Sequence, residues 1–150
     1  MFRYLGIDYG DKRIGIATSD EEWHFAFPKT VIQNHPTTHE RRDFKENINI
    51  YAYAIEEIKK IISLEPRSKI EAVVVGLPQN FSSQDTEQTK KVRAFVEALK
   101  KEIDAEVIFE NEILTSRQIE KTGASSRAMI DASSAALILQ GYLDRKNRPT

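Results

Sequence analysis

Three acidic residues stand where predicted strands or helices begin or end. Asp8 closes a short apolar run, Glu112 belongs to the acidic segment after a later apolar run, and Asp131 opens the last amphipathic segment. An acid at the end of a buried strand costs free energy unless something compensates its charge. Converging carboxylates also raise one another's pKa, and a divalent cation relieves that repulsion. Because oxygen ligands suit Mg²⁺ or Mn²⁺, these acids predict a metal site.

Each of these acids also has a structural interpretation. Asp131 fits the N-cap position of a helix, where short acidic side chains are common. Lys12 could pair with Asp8 across the intervening turn. Glu110 and Glu112 follow an apolar run, and acids often follow an exposed strand end. It is therefore the joint placement of the acids that favours a site.

The pattern of apolar residues predicts the elements that must position these acids. The predicted elements are strands over 3–8, 13–19 and 24–32, a helix over about 44–64, a strand over 70–78, a helix carrying Val92 to Ile103, a strand over 105–110, a helix from a capping box at Thr115 and Gln118, and a helix over about 131–146. Pro28 indicates an edge strand or a bulge. Consecutive antiparallel strands followed by β–α alternation predict a mixed sheet flanked by helices, with the acids at its carboxyl edge.

Composition limits the classes of protein to which the chain can belong. It has 150 residues, 40% of them hydrophobic and 30% charged, with a net charge of -1, which is typical of one soluble globular domain over 1–150. No apolar run approaches the roughly 20 residues that span a bilayer, and no signal peptide is apparent. The absence of cysteine also favours the cytoplasm. The balanced charge counts against a protein whose main task is to bind nucleic acid, but it does not exclude a nuclease, whose metal-binding acids would offset its basic surface.

One polar loop offers a possible phosphate contact. In the segment GLPQNFSS, which follows the fourth predicted strand, backbone N–H groups and the Asn80 side chain could cradle phosphate. The segment lacks the glycine density and the lysine of a P-loop. Asn80 is therefore a candidate nucleic-acid contact rather than a nucleotide site.

Three blocks of the sequence resemble a known family. The blocks YLGIDYGDKRIGIATSD, VVVGLPQNFSSQDTEQTKKVRAFVEAL and IDASSAALILQGYLD resemble, in order and spacing, the signatures of the YqgF family, the RuvX-like pre-16S rRNA nucleases also described as Holliday-junction-resolvase-like. The resemblance implies an α/β fold of the RNase H-like type, a five-stranded mixed sheet with its first three strands antiparallel. It also implies that Asp8, Glu112 and Asp131 hold metal and act in catalysis, and that Lys12 and Arg13 meet phosphate.

The middle signature departs from the family pattern. Where the family has Asp-Glu-Arg, this chain has Asn111, Glu112 and Ile113, and Ser116 replaces a threonine. The acid is kept, whereas the arginine that would pair with phosphate or carboxylate is lost.

The resemblance implies a Mg²⁺- or Mn²⁺-dependent nuclease that processes the 5′ end of pre-16S rRNA, a structured RNA. One alternative is a Holliday junction resolvase acting on branched DNA as a homodimer. Another, motivated by Asn111 and Ile113, is a module that binds RNA or a ribosome-assembly factor without cutting it. The segment IDYG is also similar to the phosphate loop of actin-like ATPases and sugar kinases, which need two such domains. The sequence leaves the choice between monomer and homodimer open.

Overall fold

The computed structural model describes residues 2–35, 51–64, 69–79, 84–112 and 127–148. These ranges form five strands and three helices. In chain order they are β1 (Phe2–Tyr9), β2 (Arg13–Ser19), β3 (Ala26–Gln33), α1 (Ala52–Ser63), β4 (Lys69–Pro78), α2 (Glu87–Lys100), β5 (Glu106–Glu112) and α3 (Arg127–Lys146). None of the described helices combines the length and the apolar character needed to cross a membrane.

The strands form one mixed sheet in the order β3-β2-β1-β4-β5. Strand β2 pairs antiparallel with both β1 and β3, whereas β4 pairs parallel with both β1 and β5. The predicted fold class, a five-stranded mixed sheet whose first three strands are antiparallel, is therefore confirmed. Parallel pairing brings the carboxyl ends of β1, β4 and β5 to the same edge, which we call the carboxyl edge.

Alternation along β4 gives the sheet an apolar surface on each face. Val73 and Val75 are fully buried against α1 and α2, and Val74 is fully buried on the opposite face against α3. Side chains alternate between faces along a strand, so the Val-rich run fills both cores at once. The helices thus lie on both sides of the sheet, with α3 alone on its side among the described helices.

The C-terminal half of α3 is tied to the turn between β2 and β3. Gln140 Nε2 donates to the His24 carbonyl at 2.8 Å, and its Oε1 accepts from the Ala26 N–H at 2.8 Å. Asn147 Nδ2 donates to the carbonyl of Trp23, which has a φ of 63°, and Lys146 lies over the Trp23 ring. A bulky residue rarely adopts positive φ, so these contacts hold a strained turn and anchor α3.

Several predicted boundaries need correction or stay untested. Strand β3 is an edge strand with a register shift at Pro28, as predicted. Helix α3 begins at Arg127, so the prediction that Asp131 is its N-cap is wrong: Asp131 is the fifth residue of the helix. The acids at 110–112 lie within β5 rather than after it. The predicted helix starts at 44 and at Thr115 lie outside the described residues.

Three tyrosines, one buried and two partly buried, make the stability of this fold sensitive to alkaline pH. Burial raises the pKa of Tyr4, Tyr9 and Tyr142 above the usual value of about 10. Since the unfolded chain then loses these protons first, the free energy of unfolding should fall as pH rises above about 10. Urea unfolding at pH 8 and pH 11 measures the loss, and Tyr9→Phe should reduce it. An equal loss in a variant with phenylalanine at all three positions would contradict this assignment.

Candidate active site

Helix α3 approaches the sheet most closely at Gly15 of β2. A Cβ atom built at Gly15 would lie 1.9 Å from the carbonyl oxygen of Asp131, and one built at Gly6 would lie 2.8 Å from that of Ala135. These oxygens belong to the helix backbone, which cannot move aside to make room for a Cβ as a flexible side chain could. Glycine at these two positions therefore lets the backbone of α3 rest directly on β1 and β2 and fixes the height of Asp131 above the sheet.

Asp8 lies beside this contact. In the antiparallel ladder Asp8 pairs with Gly15, and directly opposed residues share a face of the sheet at Cα separations of about 4.5–5.5 Å. The Cβ direction of Gly15 points at the backbone of Asp131, so half-buried Asp8 is on the α3 face as well. The fold thus brings together two of the three predicted acids from residues 123 positions apart in the chain.

Arg13 forms an ion pair with Asp131. Its Nε donates to Asp131 Oδ2 at 2.8 Å, and the exposed fractions of the two side chains are 31% and 22%. A charge-assisted hydrogen bond of this length is stronger than a bond between neutral groups. The predicted phosphate-binding residue Arg13 therefore contacts a predicted metal ligand, while its neighbour Lys12 is exposed.

The turn between β1 and β2 is held by Asn34, a residue that the sequence predicted as part of a polar loop. Asn34 is only 1% exposed; its Nδ2 donates to the Gly10 carbonyl at 2.7 Å, and its backbone N–H donates to the Lys12 carbonyl at 2.9 Å. Gly10 is required here because a Cβ would lie 2.5 Å from the Arg13 carbonyl oxygen. A cavity of about 360 Å³ opens beside this turn, lined by residues 10–13 and Asp131.

The acids of β5 lie further along the same edge. Glu110 is 4% exposed, pairs with Arg145 of α3, and its backbone pairs with Gly76. Since Ile7 pairs with Val75, Glu110 is level with Asp8 but two strands away, roughly 10 Å. Glu112 is the last residue of β5, and its backbone pairs with that of Pro78.

Two of the predicted site assignments depend on residues that are only partly described or not described at all. The role of Glu112 stays a prediction from the sequence, because the structure describes only its place in the strand. Asn80 lies outside the described residues. No feature of the sequence marked the buried positions of Glu110 and Asn34, since both stand among other polar residues.

A group of two acids and a histidine lies at the opposite edge of the sheet. Ligand atoms of Asp20, Glu22 and His24 lie within 4.8 Å of one another. This group follows β2, beside the start of β1, and is mostly exposed. Asp20 Oδ1 already accepts hydrogen bonds from the backbone N–H groups of His24 and Phe25. These hydrogen bonds show that Asp20 caps the turn after β2, which accounts for the proximity of the three side chains without a metal ion.

The residues at the carboxyl edge fit a divalent cation. Asp8 and Asp131 supply only oxygen donors, the set that Mg²⁺ and Mn²⁺ prefer. The guanidinium of Arg13 on Asp131 also shows that a positive charge is stabilised at this point. A cation bound to Asp8 and Asp131, with Glu112 as the predicted third ligand, would lie beside the cavity.

The sequence comparisons agree on one family. The sequence model of the family described as RuvX, Holliday junction resolvase, matches residues 2–145. The chain belongs to the RuvX family. Proteins named "Putative pre-16S rRNA nuclease" from Nitratidesulfovibrio vulgaris and Caldanaerobacter subterraneus are each 37% identical to it, over 95% of this chain and 93% and 96% of theirs. The resemblance seen in the three signature blocks is thereby confirmed.

Solved structures share the fold of this RuvX protein. Thermus thermophilus RuvC in complex with a Holliday junction substrate matches with a TM-score of 0.57 at 15% identity, covering 96% of this chain and 95% of RuvC. The fowlpox virus Holliday junction resolvase matches with a TM-score of 0.52 at 10% identity, covering 96% and 99%. At these identities the likeness shows the RNase H-like fold alone.

The close approach at Gly15 can be tested by adding one methyl group. Gly15→Ala should lower the free energy of unfolding by about 1–3 kcal/mol, since the new Cβ forces the α3 backbone away from β2. Gly141→Ala is the matched control. Its Cβ would be 3.4 Å from Glu110 Oε1, an ordinary contact, and alanine favours a helix by up to about 1 kcal/mol. Urea unfolding of both variants checks this, and equal stabilities would refute the proposed constraint.

Proposed function

We propose that this protein is a divalent-metal-dependent nuclease, a hydrolase of phosphodiester bonds, that processes the 5′ end of pre-16S rRNA. The observation that carries this proposal is the meeting of Asp8 and Asp131 beside a cavity at the carboxyl edge. A backbone contact that tolerates no side chain places Asp131 of α3 over Gly15, the residue that pairs with Asp8. Such an arrangement suits a cation-binding site better than a chance cluster of surface acids.

The residues of the site have separable roles in this proposal. Asp8, Asp131 and Glu112 hold Mg²⁺ or Mn²⁺, which supplies an activated water and neutralises charge on the phosphate when bound. Gly15 sets the separation between Asp8 and the helix. Asn34 and Gly10 shape the turn that places Lys12 at the cavity. Exposed Lys12 attracts the phosphate backbone, and Asn80 is proposed as a further contact.

The preference for RNA rests on the relatives. Homologues that match nearly the full chain are named for pre-16S rRNA, and structured RNA is therefore the proposed substrate. We propose one catalytic domain over 1–150 that works in the cytoplasm, where bacterial rRNA is made. Contact with ribosome-assembly factors and a monomeric or homodimeric state are compatible with this role.

A second candidate substrate is branched DNA. The family description names a Holliday junction resolvase, and the fold is shared with RuvC. Resolution of a junction needs two symmetric cuts, and hence two active sites in one complex. Cleavage of four-way junctions by a dimer would therefore favour this alternative over RNA processing.

Asp8→Asn and Asp131→Asn test the metal ligands. Each should reduce cleavage of precursor 16S rRNA by about 10²–10⁴-fold, because losing a ligand removes several kcal/mol of transition-state stabilisation. The assay compares precursor rRNA with a four-way junction in Mg²⁺, Mn²⁺ or EDTA. Asp104→Asn is the matched control, since exposed Asp104 precedes β5 at the opposite edge of the sheet.

The same assay separates the alternatives. Full activity of Asp8→Asn, or equal wild-type activity in EDTA, would rule out the proposed mechanism. Absence of wild-type cleavage combined with tight RNA binding would support the non-catalytic module, and a gain of cleavage in Ile113→Arg would then locate the defect in the altered signature.

Lys12→Gln tests the contact with phosphate. Loss of one phosphate contact should weaken RNA binding alike for all sequences and reduce the slope of log affinity against log salt by about 1. Lys60→Gln on α1 is the control, because Lys60 is equally exposed but pairs with Glu57 away from the cavity. Filter binding at several salt concentrations measures both. Identical slopes for the two variants would remove Lys12 from the interface.

A further inference from the structure

Arg13 and Asp131 form a pair that is built into the fold rather than a chance surface contact. Arg13 begins β2, where it pairs with Gln33 of β3, and its carbonyl closes against Gly10 in the turn. Asp131 is fixed by the contact of its backbone with Gly15. Both backbones are therefore positioned independently of the ion pair, and the 2.8 Å hydrogen bond joins two side chains already directed at each other.

The pair also differs from the other arginine–acid pair beneath α3. The Glu110 side chain is only 5% exposed, although that of its partner Arg145 is 53% exposed. Arg13 and Asp131 are instead 31% and 22% exposed and line the 360 Å³ cavity. A diffusible cation can therefore reach Asp131, whereas it cannot readily reach Glu110.

We propose that Arg13 is the resident counter-ion of Asp131 and competes with the divalent metal for that carboxylate. The inference rests on the proposed function, in which Asp131 is a metal ligand. Without metal, Arg13 neutralises Asp131 and keeps the site assembled. A divalent cation at Asp131 must displace the guanidinium from Oδ2 or bear its repulsion, and either effect weakens metal binding. Arg13 is thus a positioning residue that sets the metal affinity.

Titration with Mn²⁺ alone, in the absence of nucleic acid, tests the competition. Arg13→Gln should bind Mn²⁺ about fivefold more tightly than wild type, the scale expected for removing one partly exposed ion pair. Lys60→Gln is the control, because it removes the same charge from an exposed side chain that does not line the cavity, and it should change the affinity by less than about twofold. Arg13→Lys keeps a cation near Asp131 and should remain near wild type.

Thermal unfolding in EDTA provides a second readout. Arg13→Gln should lower the melting temperature by about 2–4 °C, because Asp131 loses its counter-ion, and saturating Mn²⁺ should abolish the difference. The double variant with Asp131→Asn should be no less stable than the less stable single variant, since the two side chains act as one pair.

The outcomes separate this inference from the function on which it rests. Wild-type protein that fails to bind Mn²⁺ would overturn the metal site itself and the competition with it. If the wild type binds Mn²⁺ and Arg13→Gln binds it no more tightly, only the proposed competition is overturned, and the metal site stands. Additive losses of melting temperature in the double variant would also overturn it. Tighter binding of Mn²⁺ by Arg13→Gln but not by Lys60→Gln would support it.

Discussion

Helix α3 lies against strand β2 at a backbone separation that glycine alone permits, since a Cβ at Gly15 would lie 1.9 Å from the Asp131 carbonyl oxygen. The same ladder pairs Gly15 with Asp8. One steric condition therefore places the backbones of two aspartates from different elements next to each other. Hydrogen bonds between the C-terminal half of α3 and the β2–β3 turn hold the helix in this position. The cavity depends on that placement, because Asp131 lines it.

Charge compensation follows from the same packing. Bringing acids under a helix is costly unless each acquires a partner. Asp131 and Glu110 each pair with an arginine, one open to the cavity and one largely covered. Arg145 joins α3 to β5 through an acid that is buried, whereas the pair of Arg13 and Asp131 leaves its acid within reach of a cation. Burial, rather than residue type, distinguishes a structural acid from a candidate ligand here.

Much of the sheet could be predicted because local periodicity reports burial directly. The run of valines in β4 and the alternation in β2 identify strands, and Pro28 identifies an edge. The predicted start of α3 was wrong, because an aspartate such as Asp131 before an apolar helical pattern fits the N-cap and the second turn of a helix equally well. Asn34 was missed, because nothing in a polar segment shows which amide will be buried.

The order of residues alone accounts for most of the elements, the mixed character of the sheet and the place of Asp8 near the end of β1. Strands and helices depend on residues within a few positions of one another in the chain, and the spacing of apolar residues reflects those local relations. The partner of Arg13 is 118 residues away, and the need for glycine at position 15 arises from a helix equally remote. Such contacts come into existence when the sheet and α3 pack together. The sequence therefore named the candidate acids, and the packing determined which of them meet.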